Sequence, residues 1–301
     1  MAAEEVLPSH LVDWQSRGQY LILEGRRVFL REAGSGPPLL LLHAYPTASW
    51  GFHRVWSALV DRYRVVAPDL PGSGFSEKGR GQDYGLSAMA KVLEALLRER
   101  DLACPHLLAH GYASTIAQEM MARGQVFASA CFITAGLFPR VAHRTVMQRL
   151  MLSPLGPLLA NFAPNPFRQF SRRLSATFGP ASQPSPEDLR AIWALLRYNG
   201  GQQAVSDVLC YLTQRRRQSD RLVAALQACR APLLLIASPD DALSGTEEIA
   251  AWQEALPDAA LAILPAGTGH YAPLECPDAV LQAYLAFRGT VSAGSALQGL
   301  R

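Results

Sequence analysis

Leu39-Leu40-Leu41-Leu42 is a wholly apolar run of strand length. A strand that is apolar on both faces has to be covered on both, which is the condition of strands inside a parallel sheet. Similar short runs return at 63–67, 106–109, 128–134, 232–237 and 260–264. Helix-periodic segments fall between or after them, at 52–60, 86–99, 114–123, 247–256 and 278–287. Two further strands, 20–23 and 27–31, flank a turn at Glu24-Gly25 ahead of the series. This alternation predicts an α/β protein with a doubly wound, mostly parallel, eight-stranded sheet. The rhythm breaks once. From 137 to 226 the chain reads as helices joined by Pro- and Gly-rich loops, so a helical lid is expected between two parts of one sheet. The division that follows is a core of 1–136 and 227–290, a lid of 137–226, and a small, polar, frayed tail of 291–301.

Composition narrows the classes of function. With 301 residues, 49% of them apolar, the chain can bury one large core. The net charge is only +3 and no basic run is interleaved with aromatics, so no nucleic-acid partner is expected. The five cysteines, Cys104, Cys131, Cys210, Cys229 and Cys276, are widely spaced and form no Cys-x-x-Cys pair. They are expected to be reduced thiols, with no metal site and no cofactor implied. Glu4 and Glu5 stand where a signal peptide would be basic, and no apolar run approaches the roughly 20 residues that cross a membrane. The expectation is a soluble cytoplasmic protein of undetermined oligomeric state that binds a small molecule. The apolar stretch 151–162 is a candidate for contact with a membrane surface.

Three segments follow the strands closely and carry a resemblance. His43-Ala44-Tyr45-Pro46-Thr47 comes directly after 39–42. Asp69-Leu70-Pro71-Gly72-Ser73-Gly74-Phe75-Ser76 comes after 63–67. His106-Leu107-Leu108-Ala109-His110-Gly111-Tyr112-Ala113-Ser114 turns from strand into helix. Together they resemble the α/β-hydrolase superfamily, in its epoxide hydrolase and haloalkane dehalogenase branch. There the first loop reads His-Gly-x-Pro, the second Asp-x-x-Gly-x-Gly-x-Ser, and the third is the nucleophile elbow, a sharp strand-to-helix turn. The resemblance implies an α/β-hydrolase fold, with backbone N–H groups of Tyr45 and Tyr112 as oxyanion donors. It puts Gly111 at the nucleophile position, where the branch carries Asp or Ser. The flanking positions also depart, to Ala109, Ala113 and Ser114.

Glycine offers no atom to attack a substrate. It does, however, adopt the unfavourable backbone angles of an elbow freely, where another residue pays about 1–3 kcal/mol. Ser114 lies about 300° around the helix from Gly111 and is expected to cap or pack rather than react. His110 is expected to be a packed, hydrogen-bonded residue, and His43 and His110 are both candidates for the pocket wall.

The remainder of a catalytic set is legible further on. Ser238-Pro239-Asp240-Asp241 follows the strand 232–237, and Gly267-Thr268-Gly269-His270-Tyr271-Ala272-Pro273-Leu274-Glu275 follows 260–264. By resemblance, Asp241, or Asp240 one residue earlier, orients His270 as a general base. The plainer reading of His270 is loop packing. More specific likenesses run from about 106 to 287. They include Ile116-Ala117-Gln118-Glu119, Thr134-Ala135-Gly136-Leu137-Phe138-Pro139, Thr177-Phe178-Gly179-Pro180, Pro184-Ser185-Pro186-Glu187-Asp188-Leu189 and Arg197-Tyr198-Asn199-Gly200-Gly201. They are similar to the mesoderm-specific transcript family, which carries Asp at the elbow.

The lid supplies Tyr198 and Tyr211, which the resemblance compares with the proton-donating tyrosines of epoxide hydrolases; with no nucleophile at the elbow, core packing is the better account of each. From 140 to 230 there are 13 arginines against four acidic residues, Arg215-Arg216-Arg217 and Arg221 among them. A solvated helix face is the plain account of them; a field for acidic substrates or a membrane surface is the other. Three functions fit. One is acid–base chemistry by a His–Asp dyad on a small apolar molecule without a covalent intermediate. The others are a non-catalytic ligand-binding or scaffold protein, and a hydrolase of the epoxide hydrolase type.

Overall fold

A computed structural model describes residues 7–79, 81–142, 149 and 166–298. The segment 151–162 proposed for a membrane surface lies outside the described residues. No helix among the described residues is long and apolar enough to cross a membrane.

The strands are β1 (Gln19–Leu23), β2 (Arg26–Ala33), β3 (Pro38–Leu42), β4 (Arg64–Pro68), β5 (His106–His110), β6 (Ser129–Ile133), β7 (Leu233–Ala237) and β8 (Ala260–Ile263). They form one eight-stranded sheet in the order β1-β2-β4-β3-β5-β6-β7-β8. β1 and β2 pair antiparallel, as do β2 and β4; every other neighbouring pair is parallel. The register sets Leu39 beside His106, Ala109 beside Phe132 and Ile133 beside Ile236. Leu39, Leu40, Leu41 and Leu42 are each 0% exposed, as their unbroken apolar run requires. Each such side chain contributes about 1.5–3 kcal/mol of burial.

Both faces of the sheet are covered. In chain order the helices are α1 (Ser9–Ser16), α2 (His53–Val60), α3 (Leu86–Glu99) and α4 (Tyr112–Ala122). Then come α5 (Pro166–Ser175), α6 (Pro186–Arg197), α7 (Val205–Val208), α8 (Tyr211–Arg217) and α9 (Ser219–Gln227), all inserted between β6 and β7. The last are α10 (Gly245–Ala255), α11 (Ala272–Glu275) and α12 (Pro277–Gln298). α3 and α4 pack on the face that holds Leu40, Leu107 and Phe132, while α2 and α12 cover the face that holds Leu39, Leu41 and Leu108.

Two elements differ from the sequence reading. α1 was not foreseen, because it is short and weakly periodic; it is held by Leu11 and Trp14, both buried. α12 runs on to Gln298, into the tail expected to fray from 291, since the small residues there include no proline to stop it.

Candidate active site

The loops that leave the carboxyl ends of β3, β5, β7 and β8 converge, which is where ligands bind on an open parallel sheet. β5 ends at His110 and α4 begins at Tyr112, so Gly111 alone makes the turn. Its φ is 54° and its ψ −118°, angles that glycine tolerates and other residues resist. The Gly111 N–H donates to the Ile133 carbonyl at 3.1 Å and its own carbonyl accepts from the Ser114 N–H at 3.0 Å. A Cβ on Gly111 would lie 3.0 Å from His270 Nε2 and 3.0 Å from Ala44 Cβ.

His270 is buried opposite this turn and its Nδ1 lies 3.0 Å from Asp241 Oδ2. Asp241 is fixed in turn: the Leu243 N–H donates to Oδ1 at 2.9 Å and the Ser244 hydroxyl to Oδ2 at 2.6 Å. The neighbouring Asp240 does something else, accepting from the Gly267 N–H at 2.7 Å. The choice left open in the sequence therefore falls on Asp241 by geometry. Nδ1 of His270 faces a carboxylate, so in the neutral ring the proton sits on Nδ1 and the bare Nε2 is directed towards Gly111. Burial would lower the His270 pKa, but the adjacent Asp241 carboxylate outweighs it, with Glu248 and Glu275 adding, and the pKa is raised. Burial would raise that of Asp241; His270, Ser244 and the Leu243 N–H overcome it and hold it below the usual range.

The backbone of His270 is pinned as firmly as its ring. Its N–H donates to the Thr177 carbonyl at 2.9 Å, and its carbonyl accepts from Thr134 Oγ1 at 2.7 Å and from His110 Nε2 at 2.8 Å. Glu275 gathers four donors: Tyr271 N–H on Oε1 at 2.7 Å, and on Oε2 the N–H groups of Gly269 (2.7 Å) and Gly179 (2.8 Å) and the Ser182 hydroxyl (2.5 Å).

A small cavity of about 20 Å³ lies against Gly111 and His270, walled also by Tyr112, Tyr211, Arg215 and Ser244. That is room for one water-sized sphere. The backbone N–H groups of Tyr45 and Tyr112 have no acceptor among the described residues, and Tyr112 has the first position of α4.

The other expected residues are placed as follows. His43 is fully buried with both ring nitrogens engaged: Nδ1 on the Ala44 carbonyl at 2.8 Å, and Nε2 accepting from the Leu70 N–H at 2.9 Å. It joins the first two loops and is not among the cavity-lining residues. His110 is neutral, its pKa pushed down to about 3 by burial first and by the neighbouring His270 second. Ser114 donates to the Ala109 carbonyl at 3.3 Å, inside the turn of the helix. Tyr211 lines the cavity and packs on Tyr112 with ring centres 4.4 Å apart. Tyr198 stands apart from it: its hydroxyl accepts from Gln15 at 3.0 Å and its ring packs edge-on against Phe75.

Sequence reasoning did not single out Ser244, Glu248 or Arg215 by itself, and gave Glu275 only as the end of the segment that carries His270. Glu248 is buried at the start of α10, where it accepts from the Leu137 N–H at 2.7 Å, and burial raises its pKa. A buried glutamate early in an amphipathic helix reads from sequence as a helix-dipole partner; nothing in its spacing reports the Leu137 N–H.

Comparison with known proteins settles the lineage of this arrangement. Residues 39–283 match the model of the alpha/beta hydrolase family. The chain belongs to that family. Among its relatives is the "Mesoderm-specific transcript homolog protein" of Bos taurus, 33% identical over 297 residues, covering 92% of this chain and 87% of that protein. Structural neighbours of this α/β hydrolase include haloalkane dehalogenase DbeA from Bradyrhizobium elkani USDA94, with TM-score 0.78 and 22% identity over 92% of this chain and 99% of that one. An alpha/beta hydrolase fold protein from Burkholderia ambifaria superposes with TM-score 0.77 at 22% identity, over 89% of this chain and 97% of that one. At such identities the structural likeness concerns the fold.

Proposed function

We propose that this α/β hydrolase works without a covalent intermediate, with His270 as general base on a small molecule or on the water that attacks it, and Asp241 as the residue that orients His270. The observation that carries the reading is the coexistence of a buried dyad, closed at 3.0 Å, with a strand-to-helix turn whose residue has no side chain. A hydrolase that had lost all chemistry has no chemical use for a desolvated carboxylate aimed at Nδ1. The unprotonated Nε2 faces the turn, and the adjoining cavity is the size of a water. In the hydrolytic version Nε2 accepts a proton from that water as its oxygen bonds to a carbonyl carbon and the C=O π pair moves onto the carbonyl oxygen; when that pair returns, the bond to the leaving group breaks and His270 gives the proton to the group that departs. The Tyr45 and Tyr112 N–H groups are the oxyanion donors of this scheme. A general base typically contributes about 10²–10⁴-fold, and an oxyanion donor about 10²–10³-fold.

The non-catalytic reading, a ligand-binding or scaffold protein, has one observation in its favour: the cavity at the dyad holds no more than a water. The epoxide hydrolase reading has less, because of the expected tyrosine pair only Tyr211 reaches the cavity wall.

The test is turnover of a small-molecule metabolite extract by the purified full chain, followed by mass spectrometry beside the His270→Ala variant. Loss of every wild-type conversion in the variant, with no covalent adduct on the intact protein, is the expected result. Undiminished conversion by the variant overturns the proposal. Retention of a ligand without conversion, in both proteins, transfers support to the binding reading.

A further inference from the structure

The guanidinium of Arg215 is part of the wall of the cavity that Gly111 and His270 share. Its side chain comes from α8 and the residue is 7% exposed. Nη1 donates to the Gly136 carbonyl at 3.2 Å, and the guanidinium carbon is 5.5 Å from the Tyr211 ring centre. Gly136 makes the approach feasible, since a Cβ there would sit 2.8 Å from Nη1. Among the described residues no carboxylate comes within 4.0 Å of it.

This is an unusual state for an arginine. The group has five N–H donors and a charge it does not shed, and one carbonyl uses a single donor. A buried cation normally persists beside a paired anion. Tyr112, on the same wall, has a buried hydroxyl with no partner among the described residues. The wall therefore holds a cation and no carboxylate to pair with it among the described residues.

We propose that Arg215 anchors the carboxylate of the ligand, so that the site takes a small carboxylic acid in its anionic form. The proposal rests on the reading of His270 as general base and specifies what that base acts on. The planar fork of a guanidinium matches a carboxylate with two parallel hydrogen bonds. Phosphate fits less well. Asp241 stands behind Ser244 of the wall, and the Glu248 carboxyl lies within the field of Arg215, so a monoanion is favoured over a dianion. Because the resting cavity is water-sized, the wall has to open for the acid to enter.

Isothermal titration calorimetry of the full chain tests this, with propanoate, butanoate and hexanoate against their primary amides. The acids are expected to bind at least about 10-fold more tightly than the amides, the loss of a charge-assisted pair being worth about that or more. Arg215→Gln is expected to weaken the acids by at least about 10-fold and leave the amides unchanged, with Arg215→Lys recovering part of the loss. Equal binding of acid and amide by the wild type, binding of neither, or a preference for inorganic phosphate overturns the proposal, and none of these needs a variant that folds. The His270→Ala variant separates the two ideas. Acid binding indifferent to Arg215, with turnover still lost in His270→Ala, sinks the carboxylate proposal alone. Turnover that survives His270→Ala, with acid binding still dependent on Arg215, sinks the general-base reading alone.

Discussion

Asp241 and His270 shift each other in opposite directions, and the shifts fix a pH window. His270 has its pKa raised, so its favourable interaction is fully present below the unfolded value of about 6.5 and is lost as pH rises through the folded value. Asp241 has its pKa depressed, so its share is present above the unfolded value and lost as pH falls through the folded one. A base must be unprotonated to act. The acid limb of kcat/KM is therefore expected above about pH 6.5 in the wild type. Asp241→Asn removes the carboxylate and leaves burial, so the limb moves down in pH while kcat falls by about 10²–10⁴-fold. A pH–rate profile of both proteins on any substrate found in the extract checks it; a limb that stays in place contradicts the pairing. At this scale the sequence was informative where a residue follows a strand at fixed register. Gly111 and His270 were singled out by the resemblance of segments that follow strands, and the orienting acid only to within Asp240 or Asp241. Arg215 was not, because three consecutive arginines on a helix point about 100° apart and composition does not say which one turns inward. Ser244 and Glu248 escaped notice because their partners lie across a loop or in another element.

Among elements, the short α11 has an importance out of proportion to its four residues. Its last residue, Glu275, ties the loop that carries His270 to residues 179 and 182 of the inserted segment. Each hydrogen bond to a charged acceptor contributes about 1.5–3 kcal/mol, and an amide nitrogen in place of Oε2 would face donors instead of accepting from them. Glu275→Gln is expected to lower stability by about 3 kcal/mol and to reduce turnover along with it. The check is urea unfolding with an unchanged m-value; a midpoint equal to wild type would show that the four bonds do not act together. The strands themselves were readable almost to the residue, because a covered parallel sheet demands apolar runs. The inserted helices were readable as helices only. What they touch depends on capping and long-range pairs such as those of Ser185, Asp188 and Arg54.

For the whole molecule, the inserted helices and the sheet meet through that last pair. Arg54 of α2 donates to both carboxylate oxygens of Asp188 at 3.0 and 2.9 Å, and also to the Leu274 carbonyl. Asp188 in turn closes the capping box that starts α6. The aspartate side chain is 6% exposed and the arginine 37%, so the pair is worth less than a fully buried one. Asp188→Ala is expected to cost about 2 kcal/mol, cap included, and to expose the inserted helices to protease before the sheet. Limited proteolysis read by mass spectrometry distinguishes this from uniform loosening, in which both parts are cut together.

The Glu275 knot and the Thr177 carbonyl that receives the His270 N–H bear on how such proteins diversify. The insert is often pictured as an exchangeable cover over a constant engine. Here the loop of His270, the base proposed above, hangs partly from the inserted segment: residues 177, 179 and 182 supply one acceptor and two donors to His270 and Glu275. A chimera that imports another relative's insert inherits a displaced histidine unless that stretch and the last loop travel together. In this chain, a change in the insert and a change in where His270 stands are mechanically one event.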